Sequence, residues 1–334
     1  MLSADEFDYE LPSDLIAQEP IEPRSAARLL VDRGSAAPEH ARVDRFPELV
    51  GEGDLVVVNE TRVLPARLGL RRTSGGHAEI LLLEILEGSR WRALARPGRR
   101  LRIGEVLVSP DGDEVVSVIG RDADDDGVFV VELLVEIDRL AAIGEMPLPP
   151  YITAPLTDPE RYQTVYSKRA ASAAAPTAGL HFTPEVMAAV EAAGARIARV
   201  ELVVGLDTFR PLAVEDVRDH RMHSEQFAVS QDVMDQAAAA RRVVAVGTTA
   251  TRALETAGST GRLSGRTDIF ISRGHRWSVV DLMLTNFHLP RTTLLVMIDA
   301  FIGRRWKDLY TEAINERYRM LSFGDAMLLD RHAQ

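Results

Sequence analysis

The apolar positions of this chain change rhythm along its length. In residues 1–60 the spacing predicts a short helix around Ser13 to Ala17, a strand at Leu29-Leu30-Val31, a helix near Val43 to Val50 and a buried strand at Leu55-Val56-Val57-Val58. From about Val63 to Val135 the runs are short and β-rich, as in Ala78 to Leu86, Val115 to Ile119 and Val128 to Val135. Turn signals such as Ser74-Gly75-Gly76, Pro97-Gly98 and Asp111-Gly112 fall between them, a density that predicts a small barrel or sandwich. Met146 to Tyr151, rich in proline, reads as a stiff return connection. After 151 strand-length and helix-length runs alternate to the end. The expectation is an α/β main domain of residues 1–62 and 151–334, interrupted by an inserted β domain of residues 63–150.

Three loops in the main domain share one architecture. Ala175 to Thr183 carries Thr177, Gly179 and His181, and leads into a helix that starts at Pro184 with Thr183 as its N-cap. The run Arg242 to Val246 breaks at Gly247 into Thr248-Thr249 and a helical stretch through Arg252 and Glu255. Val279 to Leu284 leads into Thr285-Asn286-Phe287-His288-Leu289-Pro290, followed by an apolar helix from Thr292 to Phe301 that Gly303 ends. In Rossmann-like open sheets, ligands bind beyond the carboxyl ends of the strands, so these loops are expected to line one crevice. A fourth polar cluster, Asn59-Glu60-Thr61-Arg62, closes the strand at Leu55, and a fifth, Gly205 to Pro211, carries Asp207 and Arg210.

Composition narrows the chemistry. The 334 residues include no cysteine, which excludes disulfides, thiolate zinc sites, thiol nucleophiles and Cys-ligated iron–sulfur clusters. His220-Arg221-Met222-His223-Ser224-Glu225 does not have the spacing of a zinc helix or a facial triad, so no metal is expected. A net charge of −11 argues against indiscriminate nucleic-acid binding, yet Arg71, Arg72, Arg92, Arg96, Arg99, Arg100 and Arg102 make a local basic face possible. No apolar run is long enough for a membrane span, and the N-terminus lacks a signal-peptide pattern, so a cytoplasmic protein is expected. Nothing in the sequence fixes an oligomeric state; a monomer is the default expectation.

Taken together and in order, several motifs resemble the S-adenosylmethionine:tRNA ribosyltransferase-isomerases of queuosine biosynthesis. They are Phe7 to Pro12, Arg28 to Val31, Val58 to Val63, Tyr162 to Tyr166, Ala175 to Thr183, Gly247 to Thr249, Thr285 to Pro290 and Ser322 to Met327. The resemblance implies an α/β main domain with an inserted small antiparallel β-barrel. It also implies two substrates, tRNA and S-adenosylmethionine, and no cofactor. The ribosyl part of S-adenosylmethionine moves to 7-aminomethyl-7-deazaguanine at the wobble position, giving epoxyqueuosine with loss of adenine and methionine.

In a polar route the sulfonium acidifies the C5′ protons, a base removes one, and adenine departs. His181 and His288 are then the base or acid candidates, because free imidazole titrates near neutral pH. Thr248, Thr249 and Asn286 would orient ribose, adenine or the methionine head, and Arg62, Arg210 or Arg252 would hold a carboxylate or phosphate. Asn59, Thr177, Gly179 and Asp207 complete the expected substrate-binding set, and Phe182 and Phe287 are candidates to face the sulfonium. The chain departs from the family pattern at Glu60, Ala171-Ser172, Asp207 and Ser272-Arg273-Gly274. The alternatives are an S-adenosylmethionine enzyme with another acceptor, and a non-catalytic RNA- or nucleotide-binding regulator.

Overall fold

The computed structural model describes residues 2–123, 125, 127–205, 212–222 and 224–333. Two compact units emerge: Met1–Glu60, Pro149–Lys168 and Pro176–Gln334 form the first, and Thr61–Leu148 with Arg169–Ala175 form the second. The stretch 169–175, expected in the main domain, therefore belongs to the β unit. It does so because Arg169–Ser172 pairs in parallel with the strand that opens the insertion.

In chain order the first unit opens with β1 (Arg28–Val31), β2 (Glu39–Arg42) and β3 (Asp54–Asn59). The second unit holds β4 (Thr61–Val63), β5 (Arg67–Arg72), β6 (His77–Glu87), β7 (Arg90–Arg96), β8 (Val106–Val108), β9 (Glu114–Arg121) and β10 (Phe129–Leu133). It continues with α1 (Leu140–Ile143), β11 (Gly144–Glu145) and, later in the chain, β12 (Arg169–Ser172). The first unit resumes with α2 (Pro184–Ala192), β13 (Arg196–Leu202), β14 (Glu225–Ala228), α3 (Gln231–Ala239), β15 (Arg242–Val246) and α4 (Gly247–Thr260). It ends with β16 (Ser264–Thr267), β17 (Leu282–Asn286), α5 (Thr293–Ile302), α6 (Trp306–Asn315) and β18 (Ala326–Asp330).

The main sheet runs β16-β14-β13-β3-β15-β17-β18-β1-β2. Its centre, β13-β3-β15-β17, is parallel, so its carboxyl ends emerge on one edge. A parallel strand is buried on both faces and needs a continuous apolar run. Leu55 to Val58 supplies one, and every residue of β3 is buried. Side chains alternate across the sheet: Leu29, Val56, Val58, Val244, Val246, Leu284 and Leu328 share one core with Phe46, Phe182, Val186 and Val190. The intervening Val57, Ala245, Met283 and Leu329 are buried as well, so both faces are covered. At the opposite edge, Asp54 is fully buried and takes hydrogen bonds from Arg241 and Arg242. Burial alone would raise this carboxyl, but the two guanidiniums hold it below its usual range.

Helix ends follow the chemistry read from the sequence. Thr183 caps α2 by accepting from the Val186 amide, and Gly303 at φ +66° ends α5. Trp306, Leu309, Tyr310 and Ala313 form the buried stripe of α6. Around Ser13 and Val43 only 3₁₀ turns form, where helices are expected. Pro47 inside the second of these turns removes a backbone donor and keeps it from lengthening.

In the second unit, β5-β6-β7-β10-β9-β8 pair in antiparallel order and β8 returns to β5, closing a six-strand barrel. Closure removes the open edges a sandwich would keep. The alternation is plain in β10, where Phe129, Val131 and Leu133 are buried and Val130 and Glu132 are half-exposed. No helix of the described residues is long and apolar enough to cross a membrane.

Candidate active site

Asn286, the last residue of β17, gathers three distant segments. Its Oδ1 accepts from the Thr177 hydroxyl at 3.0 Å, and its Nδ2 points at the Leu321 and Asp325 carbonyls at 3.3 and 3.4 Å. The same nitrogen lies 3.2 Å from His181 Nε2. Two carbonyls can only accept, so they fix which end of the amide is nitrogen. His181 Nε2 must then accept, and the neutral ring carries its proton on Nδ1.

His181 closes the 3₁₀ turn Thr177–His181 and is only 4% exposed. Burial, with the positive Arg319 and Arg24 nearby, lowers it to about 4. Both arginines are held by carbonyls: Arg24 donates to Gln163, Glu160 and Leu180, and Arg319 to Glu19. Neither arginine was legible as part of the site, because each stands far from His181 in sequence with no motif around it. Within the turn, Gly179 is required by contact: an added Cβ would fall 1.8 Å from the Tyr166 hydroxyl. Tyr166 is buried, and burial raises its phenol above the ordinary range.

The start of α4 lies against the same turn. Gly247 adopts φ +91°, and a Cβ there would sit 3.5 Å from that of Ala178. Thr248 and Thr249 follow in the first turn, both buried. One turn on, Arg252 is buried and paired with Glu225, whose other oxygen accepts from the Gly205 amide at 3.1 Å. Glu225, the first residue of β14, joins the site from outside every substrate-binding motif of the sequence.

Four other candidates are engaged by neighbours of their own. His288 is 8% exposed, and its Nε2 contacts the Thr285 hydroxyl at 2.9 Å. Its amide donates to the Tyr310 hydroxyl at 2.9 Å, and its carbonyl accepts from Tyr9 at 2.6 Å. Burial lowers His288 to about 3. Phe287 stacks edge-on with Tyr310 and Tyr318, and Phe182 packs on Phe46, so both rings are core. The Asn59 amide bonds both the N–H and the C=O of Leu202, stitching β3 to β13. Arg62 lies on β4 in the other unit. Asp207 and Arg210 lie outside the described residues. Among the described residues, no three His, Asp or Glu side chains converge to hold a metal ion.

Thr177, His181, Asn286 and the first turn of α4 thus meet at the carboxyl ends of β15 and β17, where a doubly wound sheet binds its ligand. A family model described as queuosine biosynthesis protein matches residues 4–329. The chain belongs to that family. It is 49% identical to the S-adenosylmethionine:tRNA ribosyltransferase-isomerase of Symbiobacterium thermophilum, over 97% of this chain and 98% of that one. To the protein of the same name from Rubrobacter xylanophilus it is 48% identical over 98% of each. Among solved structures it is similar to an S-adenosylmethionine tRNA ribosyltransferase from Thermotoga maritima, at 36% identity, 97% and 99% coverage and a TM-score of 0.55.

Within this queuosine biosynthesis family member, two of the departures have structural tasks. Arg273 bonds Asp299 of α5 and Glu6, tying the N-terminal segment to a helix. Glu60 pairs with Lys168 and Arg199 at 3.3 and 3.6 Å. Ala171 lies on β12 in the barrel unit.

Proposed function

We propose that this protein transfers and isomerises the ribosyl part of S-adenosylmethionine onto 7-aminomethyl-7-deazaguanine at the tRNA wobble position. Epoxyqueuosine forms, and adenine and methionine are released. The observation that carries this reading is the near-complete, two-sided coverage by relatives of that name at 49% and 48% identity. The reaction takes place in the cytoplasm, where both substrates occur, and S-adenosylmethionine is consumed rather than held as a cofactor.

The site geometry supports particular roles. His181 has its Nε2 occupied by Asn286 and is neutral at pH 7, so it acts through Nδ1–H as a hydrogen-bond donor rather than as the proton-abstracting base. A neutral imidazole donor suits the leaving adenine, whose ring nitrogens gain electron density as the glycosidic bond breaks. Asn286 and Thr177 hold that imidazole in its tautomer, and Thr248 and Thr249 offer hydroxyls and backbone N–H groups at the head of α4. His288 supports the loop through Tyr9 and Tyr310.

The test is incubation with S-adenosylmethionine and tRNA carrying the deazaguanine, followed by chromatography for adenine and methionine. Joint release that requires the modified tRNA is expected. Release with unmodified tRNA, or a methylated product, would point to another acceptor, and RNA binding without turnover would point to a regulator.

A further inference from the structure

The ion pair between Arg252 and Glu225 leaves half of its guanidinium unused. Arg252 is 3% exposed, and only Nη1 is engaged with Glu225. Among the described residues, Nε and Nη2 are buried without a hydrogen-bond partner, and so is the hydroxyl of Thr249. Nε and Nη2 form the side of a guanidinium that donates two parallel bonds, the same edge Arg305 turns to Oδ1 and Oδ2 of Asp32. Leaving such an edge dry costs free energy that a native fold offsets only where something takes the bonds.

The placement limits what that something is. Thr249 and Arg252 stand three residues apart on one face of α4, and helical side chains lean toward the N-terminus. That end of the 14-residue helix has no side-chain cap, so no N-cap side chain takes its first N–H groups, where the positive end of the dipole lies. It adjoins the turn that carries His181, through Gly247 and Ala178. Glu225 is held in turn by the Gly205 amide, which fixes the fork in direction.

We propose that Nε and Nη2 of Arg252, with the Thr249 hydroxyl, bind the α-carboxylate of the methionyl part of S-adenosylmethionine. This rests on the functional reading given above. A planar carboxylate matches the two parallel donors, and the deep burial admits a small group more readily than a phosphodiester backbone. Glu225 neutralises the guanidinium at a distance, so the site exerts little long-range pull on a polyanion but keeps its short-range bidentate match.

The experiment is calorimetric titration of the full chain with S-adenosylmethionine and with its decarboxylated analogue, which keeps the sulfonium and the amine. The wild-type protein is expected to prefer S-adenosylmethionine by tens of fold, the range of a charge-assisted bidentate pair. Arg252→Lys keeps the charge but has no fork, and it should bring the two ligands to within about threefold by weakening S-adenosylmethionine alone. Thr249→Val should narrow the gap by a smaller factor, which preserves the test if Arg252→Lys folds poorly. Equal affinities in the wild-type protein, or an undiminished gap in Arg252→Lys, overturn the proposal. So does a loss of tRNA affinity in Arg252→Lys with the gap intact, which would assign the fork to an RNA phosphate. Failure of the wild-type protein to bind either ligand would instead sink the functional reading itself.

Discussion

Asn286 faces His181 with its amide nitrogen 3.2 Å from Nε2, and that one contact decides what the imidazole does. The amide cannot turn over, because its oxygen would then face the Leu321 and Asp325 carbonyls, neither of which can donate. Asn286→Asp keeps the shape and reverses the chemistry. A carboxylate there would repel two carbonyls and would favour a protonated His181. The expected outcome is a His181 pKa raised well above its present value of about 4, with stability lower by about 2–4 kcal/mol and adenine release at least about 100-fold slower. Nitrogen-15 NMR of the imidazole reads the first effect, and an unchanged titration would mean that the two side chains do not couple in solution.

Two buried imidazoles also make the fold acid-sensitive. His181 and His288 titrate near 4 and 3 in the folded chain, against 6.5 as the ordinary value. Between pH 6.5 and 4 the unfolded chain binds protons that the native state refuses, so stability is full above 6.5 and falls as the pH drops. Each histidine should contribute a slope on the order of 1 kcal/mol per pH unit in that window. Urea unfolding between pH 7 and 5 measures it. His288→Asn should remove about half of the histidine-linked slope, and a stability that stays flat to pH 5 would contradict the buried neutral assignments.

The parts of this protein governed by local rules were legible in the sequence. Thr183 as a cap, Gly303 as a stop, the apolar run of β3 and the stripe of α6 are each set by neighbours a few residues apart, and each is found. The site was legible only where its loops carry their own punctuation, as at Thr177 to His181 and at Gly247. Contacts that fold distant segments together were not. Arg24 and Arg319 reach His181 from opposite ends of the chain, and Asn59 looks like a ligand group until β13 supplies the Leu202 backbone it binds. Glu255 is the same kind of case. It stands mid-helix in α4, where a surface charge is the ordinary reading, yet it accepts from the Ser278, Val279 and Val280 amides at 2.8, 2.9 and 2.9 Å.

The barrel's arginines divide into spent and available ones. Arg72 is paired with Glu105 at 2.7 Å and Arg92 with Asp122 at 2.9 Å, whereas Arg96, Arg99, Arg100 and Arg102 are exposed and make no ion pair among the described residues. In a chain with net charge −11, such a cluster offers a place for tRNA phosphates. Changing Arg99 and Arg100 to Ala should weaken tRNA binding and flatten its salt dependence by about 0.9 for each duplex phosphate no longer neutralised, or about 0.7 on a single strand. Binding of S-adenosylmethionine should stay the same. An unaltered salt slope in a filter-binding series would return both residues to an ordinary solvated surface.

Gly179 and Tyr166 form the tightest fit in the turn that carries His181. The glycine's φ is ordinary, so its smallness and not its freedom is what the fold uses: an added Cβ would lie 1.8 Å from the Tyr166 hydroxyl, 2.9 Å from its Cζ and 3.0 Å from Thr164 Cγ2. Gly179→Ala must therefore push the turn or the ring aside, and overpacking of this kind costs roughly 1–3 kcal/mol. Displacing the turn also moves Thr177 and His181 against Asn286, so adenine release should fall by at least about tenfold. Tyr166→Phe removes the atom in the worst contact, and because that buried hydroxyl has no hydrogen-bond partner among the described residues its loss alone should be nearly neutral. In the double variant the phenyl ring still meets the new methyl at its edge, so rescue should be partial, with a coupling of about 1–2 kcal/mol in favour of the pair. Urea unfolding of the four proteins in the cycle reads the coupling, and adenine release reads the site. Additive losses would mean that the methyl is accommodated by moving the backbone away from Tyr166, and that the hydroxyl does not set the position of the turn.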